Sequence, residues 1–120
     1  MTIASNNDGT PVSWIKKLTA TTDFTIATAS ESIGFRLDSL RATADATGAT
    51  FTLWIDDGNG NSINIINAKA VAANSYEDLK DHCLTLSRGQ SFKCKASAAN
   101  HLDVTAALVQ TTSKRPDNGQ

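Results

Sequence analysis

The alternation of apolar and polar side chains between Leu84 and Gln110 constrains the fold of this chain more than any other feature. Every second residue is apolar in 84–86 and again in 92–96, on either side of Gly89, and the pattern returns in 102–108. Successive side chains on a β-strand point to opposite faces, so each of these stretches has one apolar and one polar face. The pattern predicts strand, turn, strand over the first two stretches and a further strand over the third, as the closing pair of strands of an all-β domain.

Other stretches show the same alternation. The predicted strands are 12–18, 23–27, 33–42, 50–56 and 62–67. The turn between the last two is Asp-Gly-Asn-Gly-Asn at 57–61, and Gly and Asn tolerate the positive φ that tight hairpin turns need. Residues 75–82 are interpreted as a short strand, with one helical turn as the alternative. About eight short strands predict a two-sheet antiparallel β-sandwich, jelly-roll-like or immunoglobulin-like in its connections.

The length of the chain, 120 residues, suits one domain. Residues 1–11 and 113–120 are polar and are predicted to be N- and C-terminal arms on either side of a sandwich domain at 12–112. The core is predicted to be thin because large apolar residues are few. Ile15 and Ile63 are counted among them, although the inner face of the first strand is left open.

Charge and hydropathy argue against two classes of partner. The formal net charge is −1 and the pI is about 6.0, so the chain lacks the basic excess on which nucleic-acid binding depends. No stretch approaches 18 apolar residues and the N-terminus is polar, so we expect no membrane partner and no signal peptide, and synthesis in a cytoplasm. Cys83 and Cys94 lack the CxxC spacing and are expected to be thiols, with a disulfide as the alternative.

Neither a metal site nor a catalytic site is expected. Counted from Asp57, a calcium-binding loop would need Gly where Ser62 stands and Glu where Ala68 stands. His82 and Cys83 are adjacent on a predicted strand, so their side chains point to opposite faces and cannot act as base and nucleophile. We therefore predict a protein that is not an enzyme and needs no cofactor.

The two tryptophans are the candidate interface residues, together with one lysine. By alternation, Trp14 and Trp54 can each lie off the core face, and large aromatic side chains outside a core often contact another chain. The alternative is that strand twist or a bulge returns either ring to the core. Lys16, on the same strand as Trp14, completes the candidate set.

The second half of the chain contains a motif that resembles a known protein family. The motif is Leu86-x-x-Gly89-Gln90-Ser91-Phe92-x-Cys94-x-Ala96-Ser97-Ala98-Ala99-Asn100, followed by the strand at 102–106. It resembles a small β-sandwich domain found in virion proteins of tailed bacteriophages. Residues 24–40 resemble the opening hairpin of that domain and residues 51–65 its middle hairpin, so the resemblance covers about 17–111.

The resemblance implies a virion structural protein, and a capsid decoration (cement) protein that stabilises the coat-protein lattice is the first expectation. The implied partners are other virion proteins, the major capsid protein first, and further copies of the chain, in an oligomer such as a trimer. A neck, tail or fibre accessory protein is the alternative in the same class. A carbohydrate-binding module is the alternative in another class, because tryptophan beside Asn-rich loops can stack on sugar rings.

We expect the melting temperature to be the same in calcium, in zinc and in a chelator, because the calcium template fails and the predicted strands separate the histidine and cysteine side chains. Differential scanning calorimetry checks this. A rise of several degrees in either metal would correspond to about 1 kcal/mol of linked binding and would contradict the expectation.

Overall fold

The computed structural model describes residues 9–79 and 84–112. Within these ranges the chain forms strands and no helix. The strands are β1 (Thr10–Lys17), β2 (Phe24–Thr28), β3 (Ile33–Ala44), β4 (Ala49–Asp56), β5 (Ser62–Val71), β6 (Tyr76–Asp78), β7 (Leu84–Leu86), β8 (Ser91–Ala96) and β9 (Leu102–Thr112). No helix in these ranges meets the length and hydropathy needed to span a bilayer.

Two antiparallel sheets pack face to face, as the sequence predicts. Sheet I has the order β1-β9-β3-β6, with β7 also paired to β3, and sheet II has the order β2-β8-β4-β5. The first strand therefore lies beside the last, and strands close in sequence lie mostly in different sheets. This arrangement is the jelly roll, in which two sheets are wound from interleaved Greek keys. Of the two connectivities left open by the sequence, the jelly roll is the one observed.

The predicted strands on either side of Gly89 are both present, but they do not pair with each other. β7 pairs with β3 in sheet I, whereas β8 pairs with β2 and β4 in sheet II. The Gly89 turn carries the chain between sheets, and its N–H donates to the carbonyl of Ala29 at 3.0 Å. A Cβ at Gly58 would lie 2.9 Å from the Gly89 carbonyl oxygen, so the two turns approach too closely for a side chain there.

The β4–β5 hairpin is confirmed. Asp57 orders its turn: one carboxylate oxygen accepts the N–H groups of Asn59 and Asn61 at 2.7 and 3.1 Å. Gly58 and Gly60 have φ angles of 80° and 91°, which glycine adopts without steric cost. The carboxylate that resembles a calcium ligand in the sequence is therefore a structural element of a turn.

The core lies between the two sheets. Its largest fully buried side chains are Phe51, Phe92, Leu18, Leu37, Leu53, Leu102, Val104 and Cys94. Both sheets contribute through residues that alternate along their strands, as in β8 and β9. The closing strands are therefore amphipathic in the way the sequence predicts.

Two residues of the predicted core are exposed, and their assignment is wrong. Ile15 is 74% exposed because Val12 and Trp14 occupy the inner positions of β1, which leaves Ile15 on the outer face of sheet I. Ile63 is 72% exposed because it lies on the edge strand β5, close to the turn of the β4–β5 hairpin, where it pairs with Ile55 of β4. Alternation identifies a face but not whether another layer covers it.

Asp45 joins three loops at one end of the sandwich. Its carboxylate accepts the N–H groups of Thr47 and Gly48 at 2.8 and 3.1 Å and lies 2.8 Å from Nδ1 of His101. Its carbonyl accepts the N–H of Asn74 at 2.7 Å. The hydrogen bonds to the carboxylate, from His101 first and then from Thr47 and Gly48, lower the pKa of Asp45 from 3.8 to about 2.

Replacing a buried core ring should be far more costly than replacing an exposed isoleucine. We expect Phe92→Ala to lower the free energy of unfolding by about 3–5 kcal/mol and Phe92→Leu by about 1 kcal/mol. Ile15→Ala should change it by no more than about 0.5 kcal/mol. Urea denaturation of the three variants checks this, and equal losses for Phe92→Ala and Ile15→Ala would contradict the assignment of the core.

The charge of Asp45 should stabilise the fold only when the carboxyl is ionised. Its folded pKa of about 2 lies below its ordinary value of 3.8, so the stabilisation is complete above the ordinary value and disappears as pH falls towards about 2. Asp45→Asn keeps an oxygen that can accept the loop N–H groups but removes the charge. The variant should melt below the wild-type protein at pH 7, and the difference should close near pH 2. A difference that does not change with pH would contradict this.

Candidate interaction surfaces

His101 and Cys94, which the sequence offers as chemically active side chains, have structural roles. His101 is paired with Asp45, and Cys94 is a fully buried thiol whose pKa is raised to about 12 by desolvation. A thiol with that pKa is not a nucleophile at neutral pH. His82 and Cys83 lie outside the described residues, and so does the alternative of a disulfide to Cys83. Within 9–79 and 84–112, no cluster of three or more His, Cys, Asp or Glu residues could hold a metal ion.

The three candidate interface residues lie in three different environments. Trp14 is half-buried and packs against the core, so the alternative in which the ring returns to the core is the one observed. Lys16 is exposed, with its ammonium 5.8 Å from the centroid of the Phe24 ring. Trp54 lies on the outer face of sheet II but is only 9% exposed, with the Lys95 ammonium 5.8 Å from its ring centroid. The structure does not bring the three together, and their role in an interface stays a prediction.

The outer face of sheet I exposes Ile15, which the sequence pattern alone assigns to the core. We call this surface the sheet I face, and it comprises Ser13, Ile15, Ser39, Arg41, Thr105 and Ala107. The strand register aligns Ile15, Thr105 and Arg41 across three strands. The small side chains leave an open groove of about 580 Å³ between Ile15 and Arg41. Ile15 is therefore an exposed apolar side chain beside a recess.

Charges on and around the sheet I face are paired within the chain. The pairs are Lys17–Asp103 at 2.9 Å, Arg36–Asp38 at 2.6 Å and Arg41–Asp78 at 2.6 Å. The guanidinium of Arg41 also lies 3.9 Å from the ring centroid of Tyr76, which is 53% exposed. Such compensated pairs lower the cost of covering this face with another neutral surface.

β1 is an edge strand with an unbroken register. It pairs with β9 from Thr10 to Lys17 without a shift, whereas the pairings of the edge strands β2 and β5 contain shifts. Regular edges expose backbone groups that can pair with another chain, and proline and lysine discourage this. β1 has Pro11 near one end and Lys16 and Lys17 at the other, so its central part is the least protected.

The outer face of sheet II has a second groove, of about 540 Å³, which we call the Trp54 groove. It is lined by Asp23, Thr52, Trp54, Asp56, Gly60, Asn61, Ser62, Asn64, Asn67, Ala68 and Lys95. Its lining is mostly polar, in contrast to the exposed isoleucine and small residues of the sheet I face. The two grooves lie on the outer faces of different sheets.

Comparison with known proteins gives a likeness of fold. No protein family and no curated protein sequence matches this chain. Two solved structures of pentameric capsid proteins from metagenomic phage sequences superpose with TM-scores of 0.53 and 0.50 at 15% identity, over 93% and 92% of this chain and 70% of each capsid chain. A protein from the disulfide-linked pili of Bacillus endospore appendages has a TM-score of 0.49, 17% identity, and coverage of 95% of this chain and 98% of that one.

Proposed function

We propose that this chain is a non-enzymatic structural protein of a bacteriophage virion, in particular a capsid decoration (cement) protein that binds the coat-protein lattice. The observation on which the proposal depends is the combination of the sheet I face with the adjoining edge of β1, with which no strand in 9–79 or 84–112 other than β9 pairs. The phage-like motif at 86–100 and the fold shared with two phage capsid proteins support the virion as the place. Fold alone does not assign a function, so the surface carries the argument.

The sheet I face has the chemistry of a protein contact. Ile15 is a large apolar side chain in water, and Tyr76 and Arg41 belong to the residue types that contribute most to interface energies. The recess beside Ile15 can receive an apolar side chain of a partner, which would remove both surfaces from water. Because the neighbouring charges are already paired, such a partner needs no strong charge of its own.

The edge of β1 offers a second way to attach. A strand from another subunit can add to the central part of β1 and satisfy its outward backbone groups. A lasting interface buries at least about 1,000 Å² in total, which the edge and the adjoining face can supply together. Thr10 and Pro11, predicted to belong to the N-terminal arm, lie in β1. In this proposal the rest of that arm and the predicted C-terminal arm, 113–120, add further contacts.

The proposed partners are the major capsid protein and other copies of this chain, in a cyclic oligomer such as a trimer. Symmetry repeats each contact, so weak contacts accumulate into high avidity on a repeating lattice. A neck, tail or fibre accessory protein uses the same surfaces and differs only in its copy number and position. Quantitative mass spectrometry of purified particles separates these alternatives, since a decoration protein should be present in numbers comparable to the coat protein.

Ile15→Glu should reduce attachment to particles of the source phage because it places a charge in the centre of the proposed contact. Ile63→Glu is the matched control: Ile63 is similarly exposed but lies on the edge of sheet II. In competition with wild-type protein for undecorated particles, we expect Ile15→Glu to lose at least tenfold in occupancy, equivalent to about 1.4 kcal/mol. Ile63→Glu should bind like the wild-type protein.

Three outcomes would each contradict one part of the proposal. The chain could be missing from purified particles, which would remove the virion role. Equal occupancy of Ile15→Glu and wild-type protein would remove the sheet I face as the contact. Sedimentation of the free protein as a monomer at all concentrations would remove the homo-oligomer but leave lattice attachment intact.

A further inference from the structure

We propose that the Trp54 groove is a binding site for a neutral saccharide. The groove lies on sheet II, away from the sheet I face, so this inference does not rest on the proposed virion contact. It is open to solvent, and its volume of about 540 Å³ is within the range of about 300–1,000 Å³ that is usual for small-ligand sites.

Trp54 forms the floor of the groove. It lies near the end of β4 and pairs with Lys93 of β8 and Asn64 of β5, so polar side chains flank the indole on both sides. Only 9% of its surface is exposed, which fixes the ring in place. The exposed part of the indole, beside the Lys95 ammonium that lies 5.8 Å from the ring centroid, can contact the C–H groups of a sugar ring, because aromatic faces attract weakly positive hydrogens. The polar walls then carry most of the recognition.

Two amides in the walls are available to a ligand. Asn64 and Asn67 are exposed and line the groove, and no described residue accepts from or donates to their side chains. Each amide offers two donors and one acceptor in a fixed plane, which matches the vicinal hydroxyl groups of a sugar. Thr52 adds a hydroxyl: its oxygen accepts the N–H of Ala68 at 3.0 Å, which leaves its own hydrogen to donate.

The polypeptide around these amides is held in place before any ligand binds. Between Asn64 and Asn67 the register of β5 shifts against β4, and Ala68 takes a φ of 48° beside Thr52. At the other end, the Asp57 carboxylate accepts the amide of Asn61 at 2.8 Å. A site that is already ordered loses less entropy on binding, so modest polar contacts can give measurable affinity.

The charges of the groove balance, which selects a neutral ligand. Asp56 forms an ion pair with Lys93 at 3.3 Å, and the pKa of Asp56 is lowered by the Gly58 N–H and by that lysine. Among the other residues that line the groove, the charges are one cation, Lys95, and one anion, Asp23, while the Asp57 carboxylate at one end accepts hydrogen bonds from Asn59 and Asn61. A phosphate or sulfate group would need an excess of positive charge, and a polycation an excess of negative charge. A polyhydroxylated neutral ligand needs neither.

Tryptophan fluorescence tests the site directly. In a Trp14→Phe background, Trp54 is the single tryptophan of the chain, since the sequence has two. We expect titration with at least one of cellohexaose, maltohexaose and chitohexaose to change its emission in a saturable way. Heparin, an anionic saccharide, should give no saturable change. No saturable response to any of the three neutral oligosaccharides, or a response to heparin alone, would overturn the proposal.

The amides provide the second test, with a control in the same hairpin. Asn64→Ala together with Asn67→Ala should weaken binding of the responding oligosaccharide about tenfold, as expected when two hydrogen bonds are lost. Asn59→Ala changes an exposed asparagine of the β4–β5 turn that does not line the groove, and it should bind as the parent does. Equal affinity in the double variant and its parent, measured by calorimetry on proteins with equal melting temperatures, would also overturn the proposal.

Discussion

The antiparallel ladder between β3 and β9 is the constraint on which the rest of the structure depends. It joins residues 33–44 to residues 102–112, and it orders the remaining members of sheet I: β1 adds to the other side of β9, while β6 and β7 add to the other side of β3. The two strands are far apart in sequence, so the chain must lose the entropy of closing long loops before burial of the core can stabilise it. A fold of this kind is stable through cooperation between layers, because few of its strands can pair with a neighbour in sequence.

The sequence is informative about where strands and turns lie, and much less so about which strands pair with one another. The β4–β5 hairpin could be predicted because the residues of its turn specify both strands and their pairing. The strands around Gly89 could be located, but alternation does not record that β7 and β8 enter different sheets. Trp14 and Ile15 present the same difficulty on a smaller scale. Either residue could lie on the inner face of β1 by alternation, and only the layer formed by sheet II, which covers one face of sheet I, decides between them. The exposed position of Ile15, and with it the sheet I face, could not be found without that layer.

The two candidate surfaces differ in the physics of what they can bind. The sheet I face combines an apolar residue, small neighbours and compensated ion pairs, which suits a surface that excludes water. The Trp54 groove combines an ordered indole with amides and a hydroxyl, which suits a ligand that keeps many polar contacts. Because they belong to different sheets, occupancy of one does not bury the other. Attachment through sheet I would leave sheet II facing the solvent.

The register of β1 against β9 also determines where the chain enters and leaves the domain. Thr10 is the partner of Gln110, so both strands that carry the outermost described residues end at the same pole of the sandwich. Antiparallel partners lie about 5 Å apart at their Cα atoms. A peptide joined directly to Thr10 and another joined directly to Gln110 would therefore emerge from one location. A domain bounded by these two residues could be inserted into a surface loop of a host protein without forcing the two sides of that loop apart.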